Sequence, residues 1–268
     1  EIESRHTEAI ASLFGSKKNG SLDFLSGQIS QLSDTLKGVY MLSDLSDKSL
    51  ARIVSIGEIL SSFIVTEAMQ TNGLQALLQD SRSLIKTDSN YSNAAVDYQQ
   101  TYKNIKEFFK NNNSKIVVVP GFIASDNKNN TTTLGRGGSD FTGAIFANAV
   151  NAKVLEIWTD VSGMFTANPQ IVKQAKPIET IYYQEAMELS HFGAKVIYPP
   201  TIQPKKKKKI PILIKNTMAP EDAGTLITEK TEKDSTIVKG ISHIDQISLL
   251  TLEGNGMVGV PGISKRLF

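Results

Sequence analysis

The run Gly135-Arg136-Gly137-Gly138-Ser139-Asp140 constrains this chain more than any other stretch. It lies between Thr131-Thr132-Thr133-Leu134 and the helical-looking segment Phe141 to Val150. Glycines let the backbone turn tightly and approach an anion closely. A helix start just behind them offers free N–H groups and the positive end of a dipole. Arg136 adds a planar cation able to hold a carboxylate with two bonds. Asp140 adds an anion for an ammonium group or a metal. A cation and an anion four residues apart on a glycine loop suit a zwitterion beside a phosphate, that is, an amino-acid substrate next to a nucleotide. Taken alone, such a turn is more often structural than functional, and Arg136 with Asp140 could equally form a surface ion pair.

Around this loop the chain reads as alternating strands and helices. Residues 1–110 read as mostly helical, with Leu22, Leu25, Ile29, Leu32 and Leu36, then Ile53, Ile56, Ile59, Leu60 and Phe63, at helical spacing. Asn93 to Lys110 reads as a further amphipathic helix. The β-branched run that opens Lys115 to Ile123 is bounded by Pro120-Gly121 and reads as a buried strand ending at a functional edge, with Phe122 just beyond it. Ser125 to Thr133 reads as a polar loop. Val154 to Trp158 reads as a second buried strand with Trp158 in the core, and Thr159-Asp160 stand at its carboxyl end. Thr180 to Phe192 reads as a helix capped by Gly193, Ile210 to Ile214 as a strand, and Glu221 to Lys233 as a charged linker. This order predicts an α/β domain with a largely parallel sheet, in which ligands bind beyond the carboxyl ends of strands.

A chain of 268 residues with 40% apolar and 21% charged residues can bury a packed core. Lys205 to Lys209 more than account for the net charge of +2. The remainder is slightly acidic, so a nucleic-acid partner is not expected. The lysine run itself lacks interleaved aromatics and reads as a solvated segment. The absence of cysteine removes disulfides, thiolate metal sites and thiol nucleophiles. His6, His191 and His243 are scattered without metal-ligand spacing, and no protein metal site is predicted. No apolar run reads as long enough to span a membrane and no signal peptide opens the chain, so a cytoplasmic protein without a membrane partner is expected. The chain begins without Met inside the helix-like stretch Glu1 to Phe14, which predicts a natural start further upstream.

Five motifs then occur in a telling order: Ser55-Ile56-Gly57-Glu58, Gly121-Phe122-Ile123, Thr131 to Asp140, Glu156-Ile157-Trp158-Thr159-Asp160-Val161-Ser162-Gly163, and Phe192-Gly193-Ala194-Lys195-Val196-Ile197. Together they resemble the aspartokinases of the amino-acid kinase family. Tyr183 to Ser190 is most similar to aspartokinases fused to homoserine dehydrogenase, and residues 247–263 resemble the first strand and turn of an ACT regulatory domain. The resemblance implies a three-layer α/β/α amino-acid kinase (carbamate kinase-like) fold with a mainly parallel sheet over residues 1–228. A linker and the start of an ACT-type α+β domain follow over 229–268. It implies phosphorylation of the side-chain carboxylate of L-aspartate by ATP with Mg²⁺, in a homo-oligomer subject to feedback. Arg136 would clamp the substrate's α-carboxylate, and Glu58 and Asp140 would hold its ammonium group. Phe122, Ser139 and the glycine backbone would shape the pocket. Gly137, Gly138, Thr159, Asp160, Phe165 and Lys195 would serve the nucleotide.

The chain also departs from the family pattern. The family opens with a strand carrying Lys-Phe-Gly-Gly-Thr-Ser, whose lysine stabilises the transferring phosphoryl group. Leu13-Phe14-Gly15-Ser16-Lys17-Lys18 has the wrong order for it. Phe165 stands where the family usually has Tyr, and Asn168-Pro169-Gln170 where it has Asp-Pro-Arg. These exchanges remove a hydroxyl, a carboxylate and a guanidinium from the nucleotide side and predict weaker ATP binding. Two rival readings follow: a kinase acting on glutamate or acetylglutamate, and a non-catalytic amino-acid sensor that keeps only the pocket. A pairing of Arg136 with Glu58 and Asp140 favours a free α-amino acid over an N-acetylated one.

Overall fold

The computed structural model describes residues 1–15, 19–191, 197, 210–229, 238–244 and 246–248. Three helices open the chain: α1 (Ile2–Phe14), α2 (Asn19–Leu42) and α3 (Asp47–Thr71). Their apolar stripes meet in one cluster of Ile10, Phe14, Leu25, Leu32, Ile56 and Leu60. Phe24 stacks on Phe63 with ring centroids 3.9 Å apart. Ser46 caps α3 by accepting the Ser49 N–H. By length and composition α3 is long and apolar enough to cross a membrane, against the expectation that no segment is. Two facts explain why it packs in protein instead. Its buried face carries Ser55, Ser62 and Thr66, whose hydroxyls bond back to the helix's own carbonyls. That helix also packs against α2 and against the strands that follow.

The region to residue 110, predicted as mostly helical, also contains two short strands, β1 (Ala76–Leu78) and β2 (Lys86–Thr87), with α4 (Ser81–Leu84) between them. Helix α5 (Tyr98–Asn111) starts at Asp97, whose carboxylate accepts the Gln100 N–H. The run before Pro120-Gly121 holds a strand as expected, β3 (Ile116–Val118), parallel to β1 and partly rather than fully buried. The chain then breaks at Pro120-Gly121-Phe122, because Pro120 has no N–H for a ladder and Phe122 adopts φ 67°. The supposed loop Ser125 to Thr133 is largely a hairpin of β4 (Ile123–Asp126) and β5 (Thr131–Thr133). Asp126 closes its turn. Burial would raise this carboxyl, but bonds from the Asn130 side chain and backbone, the Lys128 N–H and the Ser89 hydroxyl hold it below the usual carboxylate range.

Helix α6 (Gly138–Val150) follows as expected and packs with α5 around Leu84, Ile85, Ile105, Ala124 and Ile145. The third unit is a four-stranded sheet in the order β6-β8-β9-β7, with β6 (Leu155–Thr159), β7 (Thr180–Tyr182), β8 (Ile212–Asn216) and β9 (Thr225–Thr228). Three expectations are corrected here. Thr180–Tyr182 is strand, and the helix α7 is shorter (Tyr183–His191). Thr225–Thr228 lies inside the predicted linker but pairs with both β7 and β8, so its Leu and Ile complete the sheet. Trp158 is not core: it is 48% exposed, donates its Nε1–H to Glu156, and lies beneath the Lys215 ammonium. Only Ile157 of β6 is buried. Four of the six strand pairings among the described residues are parallel, as the α/β reading requires. The Gly193 cap, Lys205 to Lys209 and residues 249–263 of the ACT-like stretch lie outside the described residues. Beyond β9, Lys239 pairs with Glu185 at 3.4 Å and the Ile241 N–H donates to Thr166.

Candidate functional site

The glycine loop is built from both sides. Gly135 (φ 72°) and Gly137 (φ 69°) take left-handed conformations, and Gly137 is the N-cap of α6. A Cβ on Gly135 would stand 2.5 Å from the Asn93 side-chain oxygen, and one on Gly138 would stand 2.8 Å from the Phe122 ring. Both positions therefore need glycine. Ser139 abuts Gly121, whose added Cβ would stand 3.0 Å from the Ser139 Cα. Phe122, Gly138 and Ser139 are thus one packed unit.

Phe122 is a bulky residue at positive φ, a conformation costing about 1–3 kcal/mol. Thr142 of α6 holds it there: its hydroxyl accepts the Phe122 N–H at 3.0 Å while donating to Gly138. The Leu134 N–H donates to the Phe122 carbonyl at 2.9 Å. Arg136 and Ser139 are exposed and Asp140 is partly exposed on the first turn of α6. No ion pair joins Arg136 to Asp140 among the described residues, so the surface-pair reading of the motif falls away.

Glu58 stands half-buried midway along α3, which packs against β5, the strand running directly into Leu134 and the loop. Burial pushes its carboxyl above the ordinary glutamate range.

The residues expected on the nucleotide side sit at the end of β6 and in the loop after it. Thr159 is the last residue of β6, and its hydroxyl donates to Asp160 at 3.1 Å. The Thr217 N–H donates to the Thr159 carbonyl. Phe165 bridges Pro177 across a folded loop, tied also by Thr166 to Lys176 and Ile178 to Met164. Only residues 151–154 separate α6 from β6, so helix and strand run antiparallel. The start of α6 and the carboxyl end of β6 therefore share one edge of the domain. Gly143 faces Leu155 across that contact. Lys195 lies outside the described residues. Among the described residues no three His, Asp or Glu side chains cluster.

Residues 7–216 match the amino acid kinase family. The chain belongs to that family. Among its relatives, this amino acid kinase is 38% identical over 242 residues to the bifunctional aspartokinase/homoserine dehydrogenase of Buchnera aphidicola subsp. Acyrthosiphon pisum, covering 90% of this chain and 30% of that one. Its structure matches E. coli aspartokinase III in complex with aspartate and ADP (R-state) with a TM-score of 0.81 at 31% identity, over 87% of this chain and 51% of the other. The T-state of the same enzyme, with lysine and aspartate, matches with a TM-score of 0.67 at 30% identity, over 85% and 57%. The chain thus spans under a third of the Buchnera relative and about half of the aspartokinase III chain. The amino-acid kinase fold expected from the motifs is the fold observed.

Two supports of the site were missed in the sequence. Asn93 precedes α5 by several residues and carried no motif of its own. Thr142 sits inside an apolar helix, where a buried threonine four residues after a glycine was the available signal.

Proposed function

We propose that this chain is the catalytic unit of an aspartokinase, transferring the γ-phosphoryl group of ATP to the side-chain carboxylate of L-aspartate. The product is 4-phospho-L-aspartate, made in the first step of lysine, threonine and methionine biosynthesis. The observation that carries this reading is the strained Phe122, locked against Gly138 and Ser139, with Arg136 and Asp140 on the same helix start. Likeness to the aspartate and ADP complex of aspartokinase III adds support. In this reading Arg136 grips the α-carboxylate, Glu58 and Asp140 hold the ammonium group, and the γ-carboxylate is left pointing toward the nucleotide at Thr159, Asp160 and Phe165. Gly137 and Gly138 offer backbone N–H groups to phosphate, and Lys195 reaches the nucleotide. A carboxylate oxygen attacks the γ-phosphorus, the bond to the bridging oxygen breaks, and ADP leaves with the electron pair. No proton moves, so positioning and cations do the work. With no described acidic cluster, Mg²⁺ suits the phosphates of the nucleotide rather than a protein cage. The proposal extends to a catalytic unit of residues 1–228, a regulatory segment from 229, a homo-oligomeric cytoplasmic parent, and a fused homoserine dehydrogenase like that named in the Buchnera relative.

One observation favours a second reading. Phe165 and Gln170 lack the hydroxyl and guanidinium common on the family's nucleotide side, which suits an amino-acid sensor that no longer binds ATP. A coupled ADP-release assay with aspartate and glutamate side by side, with calorimetry for each ligand, separates the readings. Turnover of aspartate is expected. Turnover of glutamate alone overturns the substrate assignment, and aspartate binding without ATP binding supports the sensor.

Glu58→Gln tests the ammonium contact. A charge-assisted hydrogen bond is lost, so aspartate KM is expected to rise about 10- to 100-fold. Stability should move the other way. A carboxyl whose folded value is raised withdraws stability as pH climbs from the ordinary glutamate range through that raised value. Glutamine removes this loss, so the variant is expected to denature at equal or higher urea concentration than wild type at pH 7, with the difference vanishing in acid. An unchanged aspartate KM would release Glu58 from the site.

A further inference from the structure

We propose that the cleft between α2, the first turns of α3 and the tip of the β4–β5 hairpin binds a small phosphorylated anion, apart from the aspartate and ATP sites. The cleft encloses about 390 Å³, within the range of small-molecule sites. Lys48 and Arg52 of α3 and Arg82 of α4 line it, with Ser55, Asn129 and Thr131 and the polar edge of α2. No Asp or Glu lines it, and no residue assigned above to aspartate or ATP does.

Its parts are set before any ligand arrives. Asp80 grips Arg82 through Nε at 3.0 Å and Nη2 at 2.6 Å, while Arg82 Nη1 donates to the Thr131 hydroxyl at 3.2 Å. The guanidinium is therefore fixed in direction, and its charge is only partly offset by Asp80. Lys86, just behind, donates to Ser125 at 2.8 Å and to the Asn129 side-chain oxygen at 3.0 Å. That bond orients Asn129, whose amide N–H groups remain as donors. Asn129 also holds φ 60° at the hairpin tip.

Lys48 and Arg52 lie one helical turn apart on an exposed face of α3. Like charges at that spacing destabilise a helix by about 0.2–0.5 kcal/mol. Neither joins an ion pair among the described residues. The neighbouring acid, Asp47, accepts instead from the Ser92 hydroxyl at 3.1 Å. Two uncompensated cations thus face a third across a cleft whose other walls are uncharged polar side chains, with Ile56 and Ile59 of α3 at its floor, close to the positive end of that helix. Several donors spread in three dimensions around one space match the three free oxygens of a phosphoryl group better than the flat face of a single carboxylate.

Calorimetry on the full chain at low salt, with inorganic pyrophosphate as probe, tests this. Wild type and Arg136→Ala are expected to bind one equivalent equally well, because Arg136 lies outside the cleft. Lys48→Gln/Arg52→Gln is expected to bind about tenfold or more weakly, with a thermal midpoint equal to or slightly above that of wild type, because both side chains are exposed and a like-charge pair is removed. Equal affinity in the double variant, loss in Arg136→Ala, or no binding by wild type would each overturn the proposal. A sugar bisphosphate that competes with pyrophosphate points to an organic phosphate, and failure to compete points to an inorganic one. Citrate binding as tightly as pyrophosphate would overturn the preference for a phosphoryl group. Aspartate turnover in the double variant is expected to remain, so failure here is distinct from failure of the kinase reading.

Discussion

Arg136→Ala is expected to lower kcat/KM for aspartate by about 10²- to 10³-fold, from the loss of two charge-assisted hydrogen bonds to one carboxylate. Most of the loss should appear in KM, because the α-carboxylate is held equally before and during transfer. The KM for ATP is expected to change little. Arg136→Lys should recover only part of the loss, since an ammonium is a point charge and cannot match both carboxylate oxygens in a plane. Folding should be untouched: Arg136 is exposed and joins no ion pair among the described residues. This separates a substrate contact from a structural one, for which the urea midpoint would fall as KM rose. Steady-state kinetics with each substrate varied in turn, beside a urea titration, gives both readouts. An aspartate KM within twofold of wild type would remove Arg136 from the site and with it the main support for a free amino-acid substrate.

What could be read from the sequence was local. The glycine loop and α6 were legible because glycines, a cap and an apolar helix follow one another without long-range help. The same holds for Thr159 at the end of β6. The strands that were missed have no local signature. β1 and β2 are three and two residues long and gain their identity only by pairing with β3 and β4, about forty residues later. The β4–β5 hairpin was taken for a loop because its buried positions are polar. Ser125, Asp126, Thr132 and Thr133 are all buried, and their side chains bond to partners elsewhere in the chain, among them Arg82, Ser89, Thr87 and Tyr91. A polar interior satisfied by such contacts leaves no alternation to read. Asn129 in a run of turn-forming residues was the signal that could have revealed the hairpin. Trp158 failed for a related reason: β6 presents only Ile157 to the core, so an aromatic in an apolar run lies outside it. The Glu58 assignment rests on motif order, and its half-buried position on α3 explains why a lone carboxylate on that helix was informative.

Gly163→Ala is expected to be strongly destabilising. Gly163 holds φ 106°, and an added Cβ would stand 2.3 Å from the Thr225 hydroxyl oxygen and 2.9 Å from the Thr225 backbone nitrogen. Thr225 cannot step aside. It is fully buried, accepts the Met164 N–H at 2.8 Å and donates to the Ile178 carbonyl at 2.6 Å. One hydroxyl thus clips β9 to both arms of the loop carrying Phe165. Positive-φ strain of about 1–3 kcal/mol and the exposure of these bonds at about 1–3 kcal/mol together predict a loss of roughly 2–6 kcal/mol. The damage should be directional. ATP affinity is expected to fall further than aspartate affinity, because Thr159 to Phe165 lie on the displaced side while the α6 start is built on Phe122 and Thr142. Gly27→Ala is the control. Gly27 is exposed within α2, with open space where its Cβ would stand, so alanine is expected to add about 0.5–1 kcal/mol through helix propensity. Urea unfolding of both variants checks the contrast. A loss below about 1 kcal/mol for Gly163→Ala would mean that the loop yields freely around Thr225. The preferential loss of ATP affinity expected for this variant would then not follow.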